Sequence, residues 1–266
     1  MHRSLCLAAF LSLAASTALA SGFPVTVKSC DREVTFDAAP KRAVSHDINL
    51  TEMMLALDLT GHMAGYSGIS GWYKMDDALR IRLGDLPELA PQQPTKEVLL
   101  GADADFLFAG WNYGMKVGGE VTPDTLAPFG IKVYELAESC IHIMKKDKSS
   151  MEDMYTDILN LGKIFGVAEK AETLVAGYKA EIAKAIAEVP ANAPVPKVFV
   201  YDSGEDKPFT AGRYAMPTAL IEAAGGKNIM DDVETSWTTV GWEGVIERNP
   251  DVVVIVDYGD VTAEQK

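Results

Sequence analysis

Glu97-Val98-Leu99-Leu100 is followed, eight residues after its Glu, by Asp105-Phe106-Leu107-Phe108-Ala109, and Glu243-Gly244-Val245-Ile246 is followed at the same spacing by Asp251-Val252-Val253-Val254-Ile255. In each copy a helix starter (Thr95, Gly241) precedes a Glu in the first turn, where the helix dipole favours negative charge. A short apolar helix, a turn and a continuous apolar run follow, and such a run is the mark of a buried parallel strand. One αβ unit used twice, with a long insert between the copies, predicts two similar lobes with a cleft between them.

The rest of the chain fits that pattern. Val25 to Lys28 and Glu33 to Phe36 alternate as a hairpin, and Arg42 to Ser45 and Gly61 to Tyr66 read as strands. Between those two strands lies a helix, Leu50 to Leu57, with Asn49 as its cap. Residues 67 to 94 carry Gly68, Gly71, Pro87, Pro91 and Pro94 and read as irregular. Pro123 to Phe129 is a helix and Ile131 to Leu136 a strand. Met151 to Phe165 and Ala168 to Val189 are helical with no strand between them; the second, at 1.5 Å per residue, spans roughly 33 Å. After Ala191 to Pro196 the alternation resumes with the strand Lys197 to Tyr201 and the helix Met216 to Ala224. The expected organisation is residues 21–149 as the first lobe, 150–190 as linking helices and 191–266 as the second lobe. Alternating strands and helices imply an α/β fold with parallel sheets.

Residues 1–20 read as an export signal, with His2-Arg3, an apolar Leu5 to Leu13 and the small-residue site Ala18-Leu19-Ala20. Removing them takes away Arg3, moving the formal charge from −14 to −15. That balance argues against nucleic acid, which demands clustered Lys and Arg, and against an anionic membrane surface. Cys30 and Cys140 remain, and an even pair in an oxidising compartment reads first as a disulfide, the competing reading being two separate buried thiols.

The sequence resembles the periplasmic substrate-binding proteins of ATP-binding-cassette importers for ferric siderophores, haem and cobalamin. The matching pieces are Ala39 to Val44, Thr51-Glu52 to Leu57, Phe209-Thr210-Ala211-Gly212, Ala224 to Asn228, Trp237, and Glu243 to Val256. The resemblance implies two Rossmann-like lobes joined by one long rigid helix, with the ligand between them. Members of that family usually continue for some tens of residues past the strand that ends here at Val256, so the second lobe is expected to be incomplete at its C-terminus. The resemblance also implies that Glu97 and Glu243 dock onto Arg pockets of the two permease subunits, and that the protein works as a soluble periplasmic monomer without enzymatic activity.

Ligands of open α/β sheets sit beyond the carboxyl ends of the strands. The loops there carry Tyr66, Trp72, Tyr73, Trp111, Tyr113, Tyr201, Arg213, Tyr214 and Trp237. Flat aromatic faces with a guanidinium suit a large, partly apolar, anionic ligand; packing is the competing role for each ring. The expected cargo is a ferric chelate, with cobalamin or haem as the alternative; haem would draw an axial ligand from Tyr66, Tyr113, Tyr214 or His142. A third reading, direct zinc or manganese binding, rests on His46 and His142 with Asp47. The chain contains no Gly-x-Ser-x-Gly elbow, phosphate loop or His-Glu-x-x-His, so a hydrolase has no named nucleophile.

Overall fold

The computed structural model describes residues 22–259 and 261–266, so the export signal expected at residues 1–20 lies outside the described residues. The elements run β1 (Val25–Ser29), β2 (Arg32–Phe36), β3 (Ala43–His46), α1 (Ile48–Ala56), β4 (Met63–Ser67), α2 (Asp77–Leu83), β5 (Glu88–Ala90), α3 (Lys96–Gly101), β6 (Phe106–Trp111), β7 (Gly114–Met115), α4 (Pro123–Leu126), β8 (Lys132–Glu135), α5 (Met151–Ile164) and α6 (Ala168–Ala187). They continue with β9 (Lys197–Tyr201), β10 (Phe209–Ala211), α7 (Met216–Ala223), β11 (Lys227–Asn228), β12 (Trp237–Thr239), α8 (Trp242–Arg248) and β13 (Val252–Ile255).

The first sheet is parallel in the order β5-β4-β3-β6-β8, with β7 against the end of β6. Its two faces bury separate cores, one containing Phe36, Met54, Phe106 and Phe108, the other Val44, Leu99, Leu107 and Val133. This division follows from the alternation of side chains along β3 and β6. The second sheet is parallel in the order β11-β9-β13. It is likewise split, with Val198 and Val200 on one face and Phe199 and Tyr201 on the other.

The repeated unit does the same work in both sheets. The Asp105 carboxylate accepts from Lys41 N (2.8 Å) and Arg42 N (3.0 Å), while its own amide donates to Arg42 O. The Asp251 carboxylate accepts from Lys197 N (2.8 Å), and its amide donates to Lys197 O. Each Asp thus ties the start of its own repeat's strand to the start of the strand that comes first in the same parallel sheet. Since Ala43 pairs with Phe106 and Val198 with Val252, Arg42 is equivalent to Lys197, and Asp47 to Asp202.

Several expectations are corrected. Helix α1 is capped by Asp47, whose carboxylate accepts from Ile48 N (2.6 Å), and not by Asn49. The segment read as irregular holds α2, capped by Asp76 on Leu79 N, and the short strand β5. An antiparallel pair, β10 with β12, went unread because three-residue strands carry too little periodicity. The Val252–Val254 run read as a fully buried strand. It is the edge of its sheet, and its valines are 45–51 % exposed because no described strand pairs beyond it.

Helices α5 and α6 pack on each other, and α6 (20 residues, roughly 30 Å) carries Ile186 to the side of Gly225, just past α7. Cys30 and Cys140 form a disulfide with Cα atoms 5.3 Å apart, joining the β1–β2 turn to the segment after β8. Asp105→Ala is expected to cost about 1–2 kcal/mol in urea unfolding and Asp251→Ala about 1 kcal/mol, because the first removes two charge-assisted bonds and the second one. Wild-type stability in both variants would mean that these carboxylates do not secure the strand starts.

Candidate ligand-binding cleft

Because the strands of the two main sheets are parallel, the segments after β3, β4, β6 and β8 emerge on one side of the first lobe, and those after β9 and β13 on one side of the second. These two sides meet. Trp237 Nε1 donates to Tyr113 Oη across the junction (2.9 Å), and Trp237 stacks on Phe209 at 5.8 Å between ring centroids. Tyr73 and Tyr258 form a second contact, 5.1 Å between centroids. Tyr73 donates to Asp47 Oδ1 (3.1 Å) and Tyr258 donates to Asp202 Oδ1. The Lys74 amide donates to Tyr258 O (2.8 Å).

A third contact is buried. Glu138 of the first lobe, 3 % exposed, accepts through Oε1 from Met216 N at the start of α7 (2.8 Å). Beside it, the Ser149 hydroxyl donates to Tyr214 O, and Lys148 pairs with Glu222 (2.5 Å). Burial pushes the Glu138 carboxyl up to about 7, against the opposing pull of the Met216 N–H and Lys146. Burial, and then Glu138 itself, push the Tyr113 phenol well up.

The aromatic residues singled out in the sequence divide into two groups. Tyr73, Tyr113 and Trp237 meet at the junction as described; Trp72, 50 % exposed, and the half-buried Tyr214 lie next to it. Tyr66, Trp111 and Tyr201 take packing positions at 5–7 % exposure. Trp111 donates from Nε1 to Glu135 Oε1 (2.9 Å), and the Glu135 carboxylate also takes Arg32 (2.7 Å) and Ser29 Oγ (2.8 Å). Tyr201 packs against Trp242 in the second core. Arg213 is held by Asp231 O (2.8 Å) and the Glu234 carboxylate (3.2 Å).

His46 is not placed to bind metal. It is 1 % exposed, bonds Ser67 Oγ through Nδ1 (3.0 Å), and is caged by Gly68 and Gly114, where any Cβ would overlap the ring. Both glycines have positive φ (+77° and +91°), so the cage needs glycine twice over. Burial lowers the His46 imidazole to about 4, so the ring is neutral. His142 lies instead beside Asn112 Nδ2 (3.2 Å). Among the described residues no three His, Cys, Asp or Glu side chains gather in metal-binding proximity. Sequence reasoning missed Glu138 and Tyr258; the usable signal was their place just after strand carboxyl ends. Asp47 holds φ 70°, ψ 159°, a conformation costing about 1–3 kcal/mol in a non-glycine residue, directly at the junction.

The Glu138 pKa sets a pH dependence. The folded carboxyl binds its proton more tightly than the ordinary value of 4.5, so its contribution is fully present below that pH and is lost as pH rises through about 7. The loss is at most roughly 3 kcal/mol. Glu138→Gln keeps an acceptor for Met216 N but cannot ionise. Its urea-derived stability relative to wild type is expected to rise between pH 5 and pH 7.5; a difference constant with pH would refute the assignment.

Comparison with known proteins accounts for this architecture. The periplasmic binding protein family matches residues 44–266. A cobalamin-binding protein of Halobacterium salinarum is 26 % identical over 251 residues, covering 92 % of this chain and 62 % of that protein, so the chain spans under two thirds of that relative's length. A periplasmic binding protein from Veillonella parvula superposes with TM-score 0.74 at 27 % identity, covering 91 % of this chain and 79 % of that one. A protein of an ABC-type Fe3+-hydroxamate transport system from Saccharomonospora viridis gives TM-score 0.72 at 23 % identity, covering 91 % and 82 %. With its two parallel sheets facing one another across an aromatic junction, this chain belongs to the periplasmic binding protein family.

Proposed function

We propose that this protein captures an iron chelate between its lobes in the periplasm and delivers it to an ATP-binding-cassette importer of the inner membrane. The observation that carries this reading is the convergence of both sets of strand carboxyl ends on one junction rich in phenols, indoles and carboxylates. Such rings offer wide apolar faces to a large ligand, and the hydroxyls and carboxylates orient its polar rim. Tyr73, Tyr113 and Trp237 would be freed for the ligand as the lobes part, with Trp72, Tyr214 and Arg213 at the margin. No described helix is long and apolar enough to cross a membrane. Cobalamin is the second reading, favoured by the halobacterial relative.

Titration with a ferric trihydroxamate is expected to quench tryptophan fluorescence and saturate at one chelate per chain. Saturation by cyanocobalamin, with no response to the hydroxamate, would replace the first reading by the second.

Delivery needs a surface for the permease. Glu97 and Glu243 are exposed in the first turns of α3 and α8, one on each lobe. We assign them to docking. Glu97→Ala or Glu243→Ala should leave chelate affinity and melting temperature unchanged while weakening association with the permease, and Arg at either site should weaken it further, since like charges would then face each other. Normal uptake in all of these variants would leave the two Glu as helix starters only.

A further inference from the structure

The register that makes Asp47 and Asp202 equivalent has a chemical counterpart. Each Asp follows the strand that comes first in the chain within its parallel sheet, each accepts a hydrogen bond from a tyrosine, and the two tyrosines lie against each other at the junction. The two Asp–Tyr pairs, one from each lobe, are therefore brought together where the two rings touch. We propose that Asp47, Tyr73, Asp202 and Tyr258 form a direct oxygen-donor site for a ferric ion that reaches the cleft incompletely chelated.

The donor chemistry selects the cargo. Four hard anionic oxygens without a thiolate or an imidazole suit a hard, highly charged cation. Carboxylates alone would suit calcium or magnesium; the two phenols shift the preference to a trivalent ion able to displace their protons. On binding, each phenol O–H breaks heterolytically, its oxygen bonds the ion and its proton passes to water. No electron moves, and the iron stays ferric. Two carboxylates and two phenolates around such an ion leave one net negative charge. The Lys266 ammonium, 5.1 Å from the Tyr258 ring and bonded to Asp202 O, offsets it.

An ordinary phenol, with a pKa of about 10, is protonated at neutral pH. Loading therefore releases about two protons per ion and is reversed by acid. This inference shares the ligand cleft with the proposed function and deepens it: a saturated hexadentate chelate would be gripped by shape, a partly chelated ion by these four oxygens.

The two ideas fail separately. Wild-type protein titrated with ferric citrate is expected to develop a visible phenolate-to-iron charge-transfer band at one iron per chain, with release of about two protons. Tyr73→Phe and Tyr258→Phe preserve the ring contact and should each lower ferric affinity by at least ~10–100-fold, the range that loss of even an outer-sphere partner produces. Tyr258→Phe, at a residue not assigned to the chelate, should still bind the saturated ferric trihydroxamate, which has no open position for a phenolate. A wild-type protein that binds the trihydroxamate but shows no band with ferric citrate would overturn the direct site and leave the chelate reading standing. A band that survives in both Phe variants would assign it to another tyrosine and equally overturn the site. A band with ferric citrate, lost in the variants, in a protein that ignores the trihydroxamate would uphold the site and remove the chelate reading.

Discussion

Parallel pairing of β3 with β6, and of β9 with β13, is the constraint on which the rest of the molecule depends. Parallel neighbours cannot be joined by a tight turn, so each connection crosses back as a helix or long loop, and every strand ends on the same side of its sheet. Ligand-facing residues are then gathered without regard to sequence distance. Tyr73 and Tyr258 lie 185 positions apart in the chain, and their rings meet because both lie in segments that follow strand ends. The Asp105 and Asp251 carboxylates stabilise this pairing at the opposite ends of the strands.

The cost of the arrangement is buried polarity, and the fold meets it with dense hydrogen bonding. Asp157 is fully buried and accepts from Tyr134 Oη (2.8 Å) and Ala137 N (3.1 Å). Glu135 is shared among Arg32, Ser29 and Trp111, and Glu138 sits on the amide that opens α7. Removing any one partner would leave a buried polar group unsatisfied, which costs more than the bond itself contributes. Of these groups Glu138 alone joins one lobe to the other, where its raised pKa makes the contact weaken as pH rises through about 7.

Tyr113–Trp237 and Tyr73–Tyr258 join the lobes by polar–aromatic contacts of few atoms, in contrast to the apolar cores inside each lobe. Contacts of that kind come apart at lower free energy than a core does. The junction is therefore the natural place for opening, while the sheets and the α5–α6 pair move as units.

The sequence by itself determined the α/β class, the doubled unit, the two long helices and the candidate disulfide pair. Those features are local, written in the 2- and 3.6-residue periods, in the spacing from Glu97 to Asp105 and Glu243 to Asp251, and in a count of two cysteines. It also marked the aromatic loops as a group. Only the tertiary structure decided which rings face the junction: Trp111 and Trp237 look alike as loop tryptophans, yet one is bonded to a buried Glu135 and the other to Tyr113 of the opposite lobe. The same holds for His46, which the sequence offered only as an alternative metal ligand and which is caged by Gly68 and Gly114, and for Glu138, which has no local motif. Side-chain direction and long-range partners depend on how sheets stack and lobes meet, and no window of sequence contains that information.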